Sequence, residues 1–167
     1  DLERARALRD AGETDAALAA FARIGRSRAA VPLRATAWWE YAREAEDESR
    51  WQQALEGLRH VALSGERRAE DARVRAGLVQ FAHGQPDSAR YWWRASTSEA
   101  AKFWLGLSLR ATDRAAADSL LAELARNRPQ APMTFLNRGI GPNRRFAMAR
   151  ASLVELKIAA KAAGGTV

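Results

Sequence analysis

The sequence has 167 residues, 47% of them apolar, which suits one domain of ordinary size with a packed core. It contains no Cys, and this excludes disulfides, thiolate metal sites and cysteine nucleophiles. The net charge of +7 is carried mostly by Arg and is mixed with acidic residues along the chain, so no basic tail marks an anionic partner.

The compartment is left open by the sequence. No apolar run approaches the roughly 20 residues of a membrane-spanning helix, and no signal peptide is visible. Because the chain begins at Asp1 and not at Met, we expect a processed or excised fragment.

Helix formers fill the segments between widely spaced Gly and Pro residues, and these breakers set the predicted elements. In the first half of the chain, a first helix is predicted to end at Gly12, and four more run over Thr14 or Asp15 to Gly25, Pro32 to about Asp47, Glu48 or Ser49 to Gly65, and about Glu66 to Ala82. A sixth helix is predicted to start at Pro86 with Asp87, and a seventh at Ser96, which forms a capping box with Glu99. The eighth runs from Thr112 or Asp113 and is stopped by Pro129. The loops between them are short, so neighbouring helices should be antiparallel and form hairpins.

Gly and Pro residues interrupt the helical pattern after residue 129. We therefore predict helical repeats over 1–129, an irregular loop over 130–145, and a capping or connecting helix over 146–167. The fold class that follows is all-α, a right-handed α-solenoid of antiparallel helical hairpins with about nine helices.

A small residue recurs in the second helix of each predicted hairpin. The aligned alanines are Ala17, Ala54, Ala89 and Ala116, with Phe21, Leu58, Trp92 and Leu120 as large residues about a turn further along. Their spacings of 37, 35 and 27 residues lie near or below the 34-residue period of tetratricopeptide repeats. Residues 7–21, ALRDAGETDAALAAF, resemble that family in the turn and in the second-helix alanine. The resemblance implies a helical scaffold with a concave surface that binds a protein or peptide.

A second resemblance lies in residues 86–130. The segments YWWRA at 91–95, AKFWLGLSL at 101–109 and LARNRP at 124–129 are similar to the superhelical region of soluble lytic murein transglycosylases. That resemblance implies a periplasmic location and peptidoglycan as partner, with catalysis by a domain outside this chain; otherwise we expect a cytoplasmic protein. The catalytic domain of that family carries a Glu-Ser pair followed by a Gln-rich helix. The one Glu-Ser pair of this chain, Glu48-Ser49, is not followed by such a helix.

No catalytic or metal-binding constellation is predicted. His60 and His83 lie near the ends of helices, where a protonated imidazole interacts favourably with the helix dipole. Glu40 and Glu44 share a face of an ordinary charged helix, and the Gly139–Asn143 loop lacks the Lys and the third Gly of a phosphate-binding loop. The sequence thus predicts a chain that is not an enzyme and has no metal and no cofactor.

The aromatic clusters offer the one candidate binding surface. Adjacent Trp residues on a helix point about 100° apart, so one of each pair enters the core and the other packs between repeats or faces a groove. Packing is the simpler interpretation. The groove candidates are Trp39, Arg43, Trp93 and Arg94.

Three functions remain open on the sequence. The first is a non-catalytic scaffold for protein–protein interaction, and the alternative is the helical region of a lytic transglycosylase. A basic nucleic-acid binder ranks last, because the Arg cluster around residues 126–150 has few aromatic residues for base stacking.

Overall fold

The computed structural model describes residues 1–127, which form eight α-helices and no strand. The helices are α1 (Leu2–Asp10), α2 (Thr14–Gly25), α3 (Val31–Asp47), α4 (Trp51–Ala62), α5 (Ala69–Ala82), α6 (Pro86–Arg94), α7 (Glu99–Leu109) and α8 (Arg114–Asn127). The all-α prediction is confirmed for this part of the chain. The predicted loop over 130–145 and the predicted helix over 146–167 lie outside the described residues. None of the helices in the described range is long and apolar enough to cross a bilayer.

The chain divides into two compact units, Asp1–Ala76 and Gly77–Val167, and the division falls within α5. In the first unit α1 packs on α2, α2 on α3 and α3 on α4. In the described part of the second unit α6 packs on α7 and α7 on α8. In these five cases consecutive helices pack on each other, as the short loops between them predicted.

Three of the turns between paired helices share one backbone design. Gly12, Ser49 and Gly84 each follow the helix end in the left-handed conformation, with φ of 77°, 60° and 72°. In each turn this residue donates its N–H to the carbonyl three positions back, and the next residue donates five positions back. These paired bonds are a Schellman motif, which satisfies the last carbonyls of the helix.

This turn corrects the predicted start of α4. Glu48 and Ser49 were expected to open that helix, but Ser49 completes the C-terminal turn of α3 and α4 starts at Trp51. A polar residue resembles an N-terminal cap in sequence, although here it occupies the position that Gly takes in the equivalent turns.

The N-terminal cap of α7 also differs from its prediction. Ser98, and not Ser96, accepts a hydrogen bond from the Ala101 N–H at 3.2 Å. The Ser96 hydroxyl instead accepts from the Ser98 N–H at 3.2 Å. Of the two predicted starts of α8, Thr112 and Asp113, it is Asp113 that caps the helix, since its carboxylate accepts from the Ala116 N–H at 3.0 Å.

Small residues lie where the paired helices approach each other. Ala17, Ala54 and Ala89 are fully buried as predicted, whereas in the fourth hairpin the buried alanine is Ala117 and not Ala116. In both hairpins of the second unit, the buried large residue one turn after the alanine also lies one position later in the sequence than predicted. It is Trp93 and Leu121, at 1% and 4% exposure, in place of Trp92 and Leu120.

Candidate functional site

A cavity of about 300 Å³ opens in the first unit, between the end of α2, the first turns of α3 and the end of α4. We call it the His60 cavity. Its walls are formed by Gly25, Val31, Arg34, Ala35, Trp38, His60, Leu63 and Ser64.

One wall of the His60 cavity is an aromatic stack. The His60 imidazole lies parallel to the Trp38 indole, with ring centroids 4.2 Å apart and planes inclined by 13°. Trp38 is itself only 4% exposed and meets Tyr41 edge-on at 5.3 Å. The indole thus supports His60 from the core side.

The position of Trp38 depends on a glycine in the neighbouring helix. A Cβ atom at Gly25 would lie 2.5 Å from both Cε2 and Nε1 of the Trp38 ring, far inside van der Waals contact. Gly25 is the last residue of α2. The absence of a side chain there allows α2 and α3 to approach with a flat indole between them.

His60 is an exposed residue whose imidazole is partly desolvated where it lines the cavity. Burial lowers the pKa of His60 below its usual 6.5; the nearby Glu56 carboxylate opposes this shift, and Arg26 and Arg59 add to it. The helix end at His60 favours a protonated imidazole through the helix dipole, whereas desolvation of the ring acts in the opposite direction. A neutral imidazole has one nitrogen free to accept a proton.

Two nearby polar groups are already engaged. The Ser64 hydroxyl donates to the Val61 carbonyl at 2.7 Å and accepts from the Glu66 N–H at 3.2 Å. Glu56 accepts from Tyr41 at 3.3 Å and from Arg26 at 2.7 Å. No hydrogen bond to the His60 imidazole occurs within residues 1–127. The Trp38 stack, and not a carboxylate, therefore orients the ring.

The remaining walls are apolar or cationic. Val31 and Leu63 are large apolar residues exposed at 40% and 72%. The Nε atom of Arg34 is buried and has no hydrogen-bond partner among the described residues. The cavity thus combines a proton acceptor, an unpaired cationic donor and an apolar rim.

The four groove candidates occupy different environments. Trp39 is partly exposed, and the guanidinium groups of Arg68 and Arg75 lie 5.1 Å and 5.8 Å from its ring centroid. Arg43 and Arg94 are exposed, and their role in binding stays a prediction. Trp93 is buried in the core of the second unit, where its ring stacks near Trp104 at 6.5 Å, so the expectation that it faces a groove is corrected.

The sequence reasoning did not find this cavity. His60 and Trp38 are 22 positions apart, and Gly25 belongs to a third helix. The one local signal is Gly25 at the end of α2, and a glycine at that position indicates a helix terminator and nothing more. Within residues 1–127 no group of three His, Cys, Asp or Glu side chains is placed to hold a metal ion.

Comparison with known proteins overturns the family expected from the sequence. The family model described as the wax ester synthase/diacylglycerol acyltransferase catalytic domain matches residues 16–167, which is most of the chain. The chain belongs to this family. Neither the curated proteins nor the solved structures gave a match.

This membership also shows that the prediction of a chain that is not an enzyme is wrong, together with the predictions of its family and function. The chain is neither a tetratricopeptide-repeat protein nor the helical region of a lytic transglycosylase, and a non-catalytic scaffold is replaced by a catalytic acyltransferase domain. The repeat pattern misled for a physical reason. Any closely packed helical hairpin needs small residues at the helix contact and large ones beside it, so this pattern reports the packing and not the family.

Proposed function

We propose that this chain is an acyltransferase that forms an ester between an activated acyl group and an alcohol, with the His60 cavity as the reaction site. The observation that carries the proposal is the family match over residues 16–167, a range that includes every wall of the cavity. The match is to the domain as a whole and assigns no role to a particular residue. The roles below are argued from the geometry.

Ester formation requires a base that removes the proton of the alcohol as its oxygen attacks the acyl carbonyl. His60 suits this task because partial desolvation lowers its pKa below the usual 6.5, which favours the neutral, proton-accepting form of the ring. After attack, the protonated imidazole returns the proton to the leaving group as the tetrahedral intermediate collapses. The base is thereby regenerated in each cycle.

The rim of the cavity suits an apolar acyl or alkyl chain. Val31 and Leu63 are exposed beside the indole of Trp38, and apolar surface of this kind gains free energy when a hydrocarbon chain covers it. The substrate class that fits is therefore an activated fatty acyl group with a hydrophobic alcohol.

The test is ester formation by the full 167-residue chain. A labelled medium-chain acyl thioester is incubated with hexadecanol or with a diacylglycerol, and ester product is separated by thin-layer chromatography. We expect product above the protein-free control, and replacement of His60 by Phe should lower kcat by about 10²–10⁴-fold. Phe keeps a ring against Trp38 and removes only the proton acceptor.

His83 supplies the matched control. It is exposed after the end of α5, outside the walls of the cavity, so H83F should leave the rate unchanged. The rate of the wild-type chain should fall as the pH drops through the lowered pKa of His60, and this step should be absent from the residual activity of H60F. No ester with either acceptor would refute the acyltransferase proposal; full activity of H60F would refute the role of His60 alone.

A finer statement about the fold also belongs here. We infer that the hairpins stack as a right-handed α-solenoid within each unit. The recurrent Schellman turns and the fully buried alanines at Ala17, Ala54, Ala89 and Ala117 support this inference. An experimental structure in which consecutive hairpins are not related by a similar rotation would contradict it.

A further inference from the structure

Arg34 has an unmet hydrogen-bonding capacity at the wall of the His60 cavity. Its Nε atom is buried without a partner, and none of the ion pairs found within residues 1–127 includes Arg34. Buried donors are nearly always paired in folded proteins, because an unpaired one loses its hydration without compensation. An acceptor that enters the cavity would supply the missing bond.

The surroundings of Arg34 define the chemistry of that acceptor. Of the two other cations near His60, Arg26 is already paired with Glu56 at 2.7 Å, and Arg59 is exposed outside the cavity walls. The pKa of His60 is lowered, which disfavours a positive charge on its ring. One guanidinium therefore provides the cationic recognition. A carboxylate can accept two parallel hydrogen bonds from a single guanidinium group. A phosphate has more acceptor oxygens and more negative charge than one guanidinium group can pair.

The apolar neighbours define the rest of the ligand. Val31 lies three residues before Arg34 on α3, and Leu63 follows α4; both line the cavity and both are exposed. At about 300 Å³ the cavity is at the lower end of ligand pockets. A short or medium alkyl chain, extending from the carboxylate towards the rim, fits these limits.

We propose that the His60 cavity binds the carboxylate of a free fatty acid, with Arg34 holding the head group and Trp38, Val31 and Leu63 contacting the chain. The proposal rests on the proposed function in that the same cavity would accept the acyl chain of the substrate. A free fatty acid then competes with the acyl donor, and the hydrolysed donor inhibits the enzyme.

The experiment compares octanoate with 1-octanol by isothermal titration calorimetry on the full chain, with both ligands below their aggregation limits. Octanoate should bind about tenfold or more tightly than the alcohol, which lacks the charge-assisted bonds to Arg34. In the series hexanoate, octanoate and decanoate, each methylene group that the rim covers should strengthen binding by up to about fourfold.

Substitution separates the head group from the chain. R34Q should remove the preference for octanoate and leave the affinity for octanol unchanged, which also shows that the cavity is intact. R23Q is the matched control, since Arg23 is an exposed residue of α2 that neither lines the cavity nor shifts the pKa of His60, and it should retain the preference. If R34Q does not fold, R34K should reduce the preference without abolishing it, because Lys keeps the charge and loses the fork.

Equal affinity of the wild-type chain for octanoate and octanol would overturn the proposal, as would an unchanged preference in R34Q or R34K. The acyltransferase assay is read separately. A chain that binds octanoate through Arg34 and forms no ester keeps this inference and loses the proposed function. A chain that forms ester without preferring octanoate keeps the proposed function and loses this inference.

Discussion

Replacement of Gly25 by Ala tests whether the His60 cavity depends on the close approach of α2 and α3. The added Cβ would lie 2.5 Å from Cε2 and Nε1 and 2.8 Å from Cδ2 of the Trp38 ring. Carbon atoms in contact are separated by about 3.5–4.0 Å, so the ring must move by about 1 Å. An indole wedged between helices is not the flexible end of a side chain, and the shift is transmitted to the His60 stack.

The expected cost is the difference between two terms. Forcing an extra methyl group into a packed contact costs about 1–3 kcal/mol, and Ala in place of Gly in a helix recovers up to about 1 kcal/mol. The net loss is about 1–2 kcal/mol. With a urea m-value of about 1–3 kcal/mol/M this lowers the unfolding midpoint by about 0.3–2 M. Affinity for octanoate should fall in the same variant.

Gly77 provides the matched comparison in the second unit. A Cβ there would meet the Trp93 ring as closely, with Cε2 at 2.5 Å, yet neither residue lines the cavity. G77A should therefore lose similar stability and keep its affinity for octanoate. A G25A variant with the wild-type midpoint and wild-type affinity would refute the packing argument, and an effect of G77A on octanoate would show that the loss is not local.

Three further predictions concern stability, each read from urea unfolding. S49G should raise the free energy of unfolding by about 0.5 kcal/mol, because Gly adopts the φ of 60° without strain; a lower midpoint would contradict this. R75M should cost about 1–3 kcal/mol, since it leaves the Glu46 side chain, 1% exposed, without its ion-pair partner, and adding E46Q should restore most of the loss. Burial raises the pKa of the Glu44 carboxyl group above its usual 4.5, so the native state binds a proton there more tightly than the unfolded state does. The free energy of unfolding therefore falls as the pH rises through the raised pKa. E44Q should therefore be more stabilising at pH 7 than at pH 4, and an equal effect at both values would refute the shift.

The helices were predictable because their signals are local. The start of α3 near Pro32 and its end at Asp47, and the start of α6 at Pro86, follow from residues at those positions. The prediction failed at Ser49, where the sequence offers a polar residue and the backbone requires a left-handed conformation. Ser49 could cap the start of α4 or complete the C-terminal turn of α3. Only the chain direction after the turn, which tertiary packing sets, distinguishes these two roles.

The register of the second unit was harder to read than the presence of its helices. In α8 the run Ala115–Ala117 offers three small residues in succession, and a shift of one position rotates a helix by about 100°. The contact with α7 decides the matter: Gly106 of α7 faces Leu121, since a Cβ at Gly106 would lie 3.1 Å from the Leu121 Cγ. Leu121 and Ala117 are one turn apart, so both face the partner helix and Ala116 does not.

The candidate site could not be read from the sequence because none of its parts is distinctive alone. A glycine at a helix end, a tryptophan in a core and a histidine in a last turn each have an ordinary structural role. Their joint effect arises from packing: the missing Cβ of Gly25 admits the Trp38 ring, the ring supports His60, and burial against it lowers the pKa of His60. The same close approach that lets three helices pack therefore also favours the neutral form of the proposed base. A variant that loosens this packing should impair proton transfer before it unfolds the chain.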